Sequence, residues 1–134
     1  MDSNVYNGID FEAARSLLFV REKILIAYLH GSILTDHFRP DSDVDIALFL
    51  KPGTEMTTME LLELAGDLSS ILGYEVHLGV VSSKFLVFAK EVLSKGKPLF
   101  IKDNGYHDLH IATLLSMYAE HKERQKEILC EYTC

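Results

Sequence analysis

The chain contains 134 residues, of which 48% are hydrophobic, and it carries a formal charge of −7. This size predicts a single domain over residues 1–134, with a hydrophobic core but no separate substrate domain. The acidic balance, without a clustered basic stretch, disfavours nucleic acid as a partner, because phosphate binding relies on lysine and arginine.

The first half of the chain predicts a helix and then a strand that ends in a phosphate-sized turn. Apolar residues at helical spacing indicate a helix over Phe11–Val20, and the apolar run Lys23–Leu29 indicates a buried strand. Gly31 follows that strand, and its missing Cβ lets the backbone approach a ligand closely. We expect Ser32 to open a short helix, whose free N–H groups favour an anionic phosphate.

Two aspartates open the next predicted strand, which runs from Asp43 to Leu50. Side chains alternate along a strand, so Asp43 and Asp45 should point to one side while Val44 and Ile46 point into the core. Neighbouring carboxylates repel each other unless a cation lies between them. Mg²⁺ suits such oxygen ligands and commonly binds one or two carboxylates together with substrate phosphates. The pattern therefore predicts a metal and a nucleotide at the same site.

The second half of the chain continues the alternation of helices and strands. We expect a helix over Thr57–Leu72 ended by Gly73, with four residues facing inward: Met59, Leu62, Leu68 and Leu72. The remaining predicted elements are a strand over Tyr74–Val81, a helix over Lys84–Leu93 stopped before Pro98, a strand over Leu99–Lys102 and a helix over about Tyr106–Glu131. This order predicts an α/β (α+β) fold, with a mixed sheet of about four strands, helices packed against it and a long C-terminal helix.

The final predicted helix changes character along its length. It is apolar at Leu114, Leu115 and Tyr118 and then becomes polar, so we expect its first half to pack on the domain. The second half is expected to be either a solvated overhang or part of a partner contact. Cys130 and Cys134 have no histidine or cysteine partner at zinc spacing, which predicts free, reduced thiols.

Gly31-Ser32, a gap of ten residues and Asp43-Val44-Asp45 together resemble the signature of the DNA polymerase beta nucleotidyltransferase superfamily. The small size and the run from His30 to Ile46 are similar to its minimal nucleotidyltransferases, which are often MntA-type antitoxins paired with HEPN ribonuclease toxins of the HepT type. The resemblance implies that Asp43 and Asp45 are catalytic and hold two Mg²⁺ ions. It also implies that Gly31 and Ser32 bind the triphosphate of ATP, and that AMP is transferred to a hydroxyl of a cognate HEPN-type toxin.

Two positions depart from the pattern of that superfamily. A third carboxylate normally stands in a Val-Asp-Leu sequence on a later strand, whereas this chain reads Val76-His77-Leu78. The imidazole of His77 suits a general base better than a Mg²⁺ ligand, which leaves His77 a doubtful third site residue or a polar residue on the sheet surface. Glu75 should share its face and is a candidate to reach the site. Thr35 stands where an arginine is common, and Arg39 is the candidate replacement.

Three interpretations of function remain open from the sequence. The leading one is the enzyme described above. The second is a catalytically weakened antitoxin that neutralises its toxin by contact, and the third is a small-molecule nucleotidyltransferase, which would need a homo-oligomer to complete so small a site. An Asp-x-Asp glycosyltransferase explains neither the Gly-Ser turn nor the length. The chain lacks an apolar run of membrane-spanning length and a signal-peptide pattern, which predicts a cytoplasmic protein without a membrane partner.

Overall fold

A four-stranded mixed sheet lies at the centre of the described part of the chain, with helices on both faces. The computed structural model describes residues 4–82, 84 and 86–133, and side chains only as far as residue 125. The helices are α1 (Glu12–Phe19), α2 (Thr58–Leu72), α3 (Leu86–Lys95) and α4 (Asn104–Thr133). The strands are β1 (Val5–Tyr6), β2 (Ile9–Asp10), β3 (Ile24–His30), β4 (Val44–Leu50), β5 (Val76–Val80) and β6 (Lys97–Ile101). A short 3₁₀ helix, Gly31–Leu34, follows β3 directly.

The strand pairing decides which chain segments meet. The order across the sheet is β5-β4-β3-β6. Strand β3 pairs antiparallel with β4 and β6, whereas β4 and β5 run parallel. The end of β3 and the starts of β4 and β5 therefore lie at the same end of the sheet. This mixed sheet with helical cover and a long C-terminal helix confirms the predicted fold class.

Each face of the sheet is covered by a different pair of helices. One face packs against α1 and α2 and the other against α3 and α4. Apolar side chains that point to either face of the sheet are therefore buried. Along β4, Val44 and Ile46 belong to the α1–α2 layer, while Ala47 and Phe49 belong to the α3–α4 layer. The predicted inward direction of Val44 and Ile46 is confirmed.

The prediction of which α2 residues face inward is wrong in part. Met59 and Leu62 are 64% and 63% exposed, whereas Leu64 and Leu68 are fully buried. The buried stripe includes Leu61 and Leu72 as partly buried members, which gives the spacing of three and four residues that one helix face requires. Met59 and Leu62 lie beside that stripe and face solvent, because apolar residues surround most of the α2 circumference. A capping box formed by Thr57 and Glu60 begins the helix, and Gly73 ends it in the left-handed region as predicted.

Two local structures differ from the sequence prediction. Helix α3 ends at Lys95, within the segment 95–98 that was expected to stop it, but the strand begins before Leu99, and Pro98 lies inside β6, whose pairing in the described sheet is with β3 alone. An edge strand tolerates proline because one side of its backbone has no ladder partner to satisfy. The sequence analysis also missed the β1–β2 hairpin. Asn7 and Gly8 form its two-residue turn with φ of 50° and 77°, the Asn-Gly pattern that favours such turns.

Among the described side chains of α4, those up to residue 125, the buried ones lie in the first half of the helix, as expected. His107 and Leu114 are buried on the sheet side, and the side chains of 119–125 are exposed. Leu115, which the sequence grouped with the apolar half, is 43% exposed. The predictions for the side chains of Cys130 and Cys134 lie outside the described residues. None of the described helices is long and apolar enough to cross a bilayer.

Replacing Gly96 with alanine should destabilise the fold by about 1–3 kcal/mol, because the position between α3 and β6 has no room for a methyl group. A Cβ there would overlap the carbonyl oxygen of Val92 and lie 2.9 Å from that of Leu29. The matched control is Gly66→Ala in α2, where nothing lies within 4 Å and alanine should stabilise the helix by about 0.5–1 kcal/mol. Urea unfolding of both variants measures the two effects. Equal stability of the two variants would contradict the packing argument.

Candidate active site

Asp43, just before β4, and Asp45, within it, stand at the end of the sheet where β3 finishes. Val44 and Ile46 are buried in the α1–α2 layer, so the alternation of the strand puts the half-buried Asp43 and Asp45 towards the α3–α4 side. Asp45 is paired with His30 of β3 on one side and with His77 of β5 on the other. These three residues are neighbours on adjacent strands, so their side chains lie together at this end of the sheet.

Gly31 allows the turn after β3 to approach Asp45. Its φ of 81° lies in the left-handed region, which favours glycine. An ideal Cβ at this position would lie 2.6 Å from Oδ2 of Asp45, closer than real Cβ contacts allow. The glycine is required twice, for the backbone conformation and for the space in front of the carboxylate. The Gly-Ser turn and the second aspartate thus face each other across β3 and β4.

The doubtful third residue lies beside the first aspartate. Nε2 of His77 is 3.4 Å from Oδ2 of Asp43 and 3.4 Å from Oε1 of Glu75. One donor atom from each of the three residues lies within 4.8 Å of the other two. The predicted proximity of Glu75 to this end of the sheet is therefore seen in the structure. His77 therefore lies on the surface of the sheet between two carboxylates.

A cavity of about 370 Å³ adjoins the Gly-Ser turn. Its lining includes a cationic side chain that was not predicted from the sequence. The cation is Lys95, at the end of α3, whose Nζ lies 3.3 Å from Oε2 of Glu91. Arg39, the candidate replacement for the missing family arginine, instead donates through Nη1 to the carbonyl oxygens of Asp36 and Phe38 in its own loop. Sequence spacing could not identify Lys95, because only the packing of α3 against β3 brings it near the turn.

The Thr35 and Asn7 side chains hold the turn in shape. Thr35 donates through Oγ1 to the carbonyl oxygen of Ser32 (2.9 Å), which closes the short 3₁₀ helix. Asn7 donates through Nδ2 to the carbonyl oxygens of Ile33 (2.6 Å) and Thr35 (3.2 Å). The β1–β2 hairpin therefore supports the turn from behind. The Asn-Gly pair was the sequence signal for the hairpin, but nothing in the sequence linked it to the turn.

His30 is packed and not poised for proton transfer. Its ring meets the edge of Phe88 at 5.4 Å between centroids. Burial lowers the pKa of His30 below its ordinary value of 6.5, and the carboxylate of Asp45 opposes only part of that shift. Its imidazole is therefore neutral at physiological pH, in agreement with the expectation of a packed histidine.

The donor atoms at this end of the sheet suit a divalent cation. Asp43 and Asp45 offer carboxylate oxygens on one face of the sheet, and these are the ligands that Mg²⁺ prefers. Glu75 and His77 add an oxygen and a nitrogen within reach of Asp43. The described arrangement thus fits a metal site at the start of β4, beside the Gly31 turn and the cavity that adjoins it.

Comparison with known proteins decides the family. The family model described as "Polymerase beta, Nucleotidyltransferase" matches residues 12–105, which include the Gly-Ser turn, both aspartates and the α3–β6 segment. The chain belongs to the polymerase beta nucleotidyltransferase family. No curated protein sequence matched the chain. The match begins after the β1–β2 hairpin, so the hairpin that supports the turn lies outside the matched region.

Solved structures of toxin–antitoxin complexes share the fold of this nucleotidyltransferase-family chain. A mutant MntA–HepT complex superposes with a TM-score of 0.78 at 23% identity, covering 94% of this chain and 100% of the other. A tri-AMPylated HEPN toxin in complex with MNT antitoxin, from Shewanella oneidensis, gives 0.70 at 25% identity over 91% and 94% of the two chains. A toxin–antitoxin complex with AMP-PNP gives 0.71 at 23% identity over 92% and 99%. The matches extend over more than nine tenths of both chains.

A second, larger cavity lies at the other end of the sheet, away from the aspartates. Its volume is about 770 Å³, and its lining includes Leu50, Val80, Tyr106 and His110. The ring of His110 stacks on Tyr106 at 5.3 Å and meets the edge of Phe49 at 5.3 Å. Burial, and then the neighbouring His107, lowers the pKa of His110 below 6.5. The folded state therefore favours the neutral imidazole.

This pKa shift predicts a pH-dependent stability that depends on His110. As the pH falls below about 6.5, the unfolded chain takes up a proton at this histidine before the folded chain does, so stability is lost until the lower folded pKa is passed. The variant His110→Gln should lose less free energy of unfolding than the parent between about pH 7.5 and pH 5.5. Urea unfolding at the two pH values measures the difference. Identical losses in both proteins would show that His110 does not contribute.

Proposed function

We propose that this protein is a nucleotidyltransferase of the MntA type that moves AMP from ATP to a hydroxyl of a HEPN-type toxin and thereby acts as its antitoxin. The observation that carries the proposal is the close approach of the Gly31 turn to Asp45, in a chain that belongs to the polymerase beta nucleotidyltransferase family. The protein would act in the cytoplasm, where ATP and a ribonuclease toxin meet.

The proposed reaction is a displacement at the α-phosphorus of ATP. A bond forms from the toxin hydroxyl oxygen to that phosphorus, the bond to the pyrophosphate breaks, and the hydroxyl proton passes to the carboxylates at the sheet edge. Such transfers depend on positioning and charge neutralisation more than on covalent help from the protein. Two Mg²⁺ ions, held by Asp43 and Asp45, would supply activation of the attacking hydroxyl and stabilisation of the leaving pyrophosphate.

The other residues have distinct roles in this proposal. The backbone at Gly31 and Ser32 binds the triphosphate, since the missing Cβ leaves space for close approach. Lys95 would take the place of the arginine that is common at position 35 in the family, once its Nζ exchanges the carboxylate of Glu91, which lines the same cavity, for a phosphate. Asn7 keeps the turn in position through its bonds to the carbonyl oxygens of Ile33 and Thr35.

The acidic charge and the solved complexes support a protein acceptor. The formal charge of −7 suits docking to a basic, RNA-binding toxin. The Shewanella oneidensis complex, at 25% identity, contains a HEPN toxin that carries three AMP groups. The same fold with AMP-PNP in another toxin–antitoxin complex supports a nucleotide as the co-substrate. The described side chains 119–125 of α4 are exposed and free to take part in such a contact.

Incubation with ATP, Mg²⁺ and the product of the neighbouring gene, which we expect to be a HEPN-type toxin, tests the proposal. The expected result is a mass increase on the toxin that matches one or more AMP groups, together with loss of its ribonuclease activity. No mass increase with any divalent metal ion would contradict the proposal. A mass increase on the nucleotidyltransferase itself, without change of the toxin, would contradict the proposed acceptor.

A second candidate function is neutralisation of the toxin by contact alone. The histidine at the third-carboxylate position favours it, because His77 is a poor ligand for Mg²⁺. Under this alternative, Asp45→Ala neutralises the toxin as well as the parent protein does, and calorimetry detects no ATP binding. Loss of neutralisation in Asp45→Ala, with the complex still formed in size-exclusion chromatography, favours the enzyme.

A further inference from the structure

We propose that Asp43, Glu75 and His77 form a binding site for a transition-metal ion, of the zinc or cobalt kind, that Mg²⁺ does not fill. The inference rests on the proposed function only in placing this ion beside the nucleotide site. The three residues come from the starts of two parallel strands, and their donor atoms lie within 4.8 Å of one another. The site has a nitrogen donor between two carboxylate oxygens.

Two of the three separations between donor atoms match those around a tetrahedral ion. Zinc binds nitrogen and oxygen at about 2.1 Å, so two donors at the tetrahedral angle lie about 3.4 Å apart. Nε2 of His77 lies 3.4 Å from the nearest oxygen of Asp43 and 3.4 Å from that of Glu75. An octahedral Mg²⁺ ion with arms of about 2.1 Å needs adjacent donors only about 3.0 Å apart. Both separations that involve the imidazole nitrogen therefore suit tetrahedral geometry, and the two carboxylate oxygens, which lie within 4.8 Å of each other, would adjust around the ion.

The chemistry of the donors also favours a transition metal over Mg²⁺. Imidazole nitrogen is a ligand that zinc, cobalt and other transition metals accept readily, whereas hard Mg²⁺ prefers oxygen. The side chains of Asp43, Glu75 and His77 are 44%, 75% and 55% exposed, so an ion can enter and the carboxylates can adjust. Three protein ligands leave a fourth position open, as in catalytic zinc sites. That position would accept water or a substrate oxygen.

The transition-metal ion and the Mg²⁺ ion that accompanies ATP would share only some of their ligands. Asp45 is outside the three-residue cluster and lies against the Gly31 turn. The Mg²⁺ ion that arrives with the triphosphate would therefore be held on the Asp45 side. The transition metal would take the place of the second Mg²⁺ ion on the His77 side, with Asp43 between the two ions. In this arrangement, the histidine at position 77 changes which metal the site prefers and does not abolish the site.

Titration of the full-length protein with Co²⁺ tests the inference, because four-coordinate cobalt absorbs visible light much more strongly than six-coordinate cobalt. We expect one Co²⁺ per chain with the four-coordinate spectrum. His77→Asp, which restores the family carboxylate, and Glu75→Gln should each weaken Co²⁺ binding at least about tenfold. The matched control His121→Gln removes an exposed histidine of α4 and should leave the binding unchanged. Circular dichroism checks that all variants are folded.

Two outcomes would overturn the inference. One is equal Co²⁺ affinity in the parent and in His77→Asp, and the other is displacement of Co²⁺ from the parent by an equal concentration of Mg²⁺. Binding seen only through a sulfur-to-cobalt band in the near ultraviolet would place the ion on cysteine and would also overturn it. Co²⁺ binding as expected without any AMP transfer rejects the proposed function alone. AMP transfer without a His77-dependent Co²⁺ site rejects this inference alone.

Discussion

Replacing Asp45 with asparagine should reduce AMP transfer by about 10²- to 10³-fold while leaving the protein folded. Asparagine keeps the shape of the side chain beside Gly31 but removes the negative charge that, in the proposed function, holds a divalent cation against the triphosphate. The side chain is only half-buried, so the loss of charge should change the free energy of unfolding little. The rate of AMP incorporation into the toxin, followed by mass spectrometry, measures the effect.

The matched control for this variant is Asp41→Asn. Asp41 is an exposed carboxylate in the loop before β4, so its replacement removes the same charge close by without touching the sheet edge. We expect Asp41→Asn to transfer AMP at the rate of the parent. If the two variants lose activity equally, the effect comes from the overall charge of the loop region, and the assignment of Asp45 is wrong.

Replacing Gly31 with alanine should both destabilise the protein and remove AMP transfer. The φ of 81° costs a residue with a Cβ about 1–2 kcal/mol. The Cβ would in addition lie 2.6 Å from Oδ2 of Asp45 and force that carboxylate or the turn to move. A displacement of about 1 Å at a reacting centre can cost about 10²-fold in rate. Urea unfolding and the AMP-transfer assay measure the two effects.

Gly53→Ala separates the conformational cost from the overlap. Gly53 has a φ of 78°, but nothing lies within 4 Å of the Cβ position. Its alanine variant should therefore lose about the same 1–2 kcal/mol from the backbone and retain full AMP transfer. Full activity in Gly31→Ala would show that the close approach to Asp45 has no part in the reaction.

The sequence was sufficient to predict elements whose side-chain pattern is local. Alternation along 43–46 predicted two aspartates on one face and two buried residues on the other, because strand geometry requires it. It predicted the order of the main strands and helices for the same reason. It was less successful for α2, where Met59 and Leu62 are apolar but exposed, because several apolar stripes are compatible with one helix and only packing selects the buried one.

Local pattern alone thus determined that a glycine turn and an Asp-x-Asp strand occur in this order, and that both lie at strand ends. The tertiary structure decided what surrounds them. The register between β4 and β5 brings His77 and Glu75 beside Asp43, and the packing of α3 brings Lys95 to the cavity at Gly31. These contacts join residues far apart in the chain, and their geometry is set by strand pairing and helix packing, which the spacing of residue types does not encode.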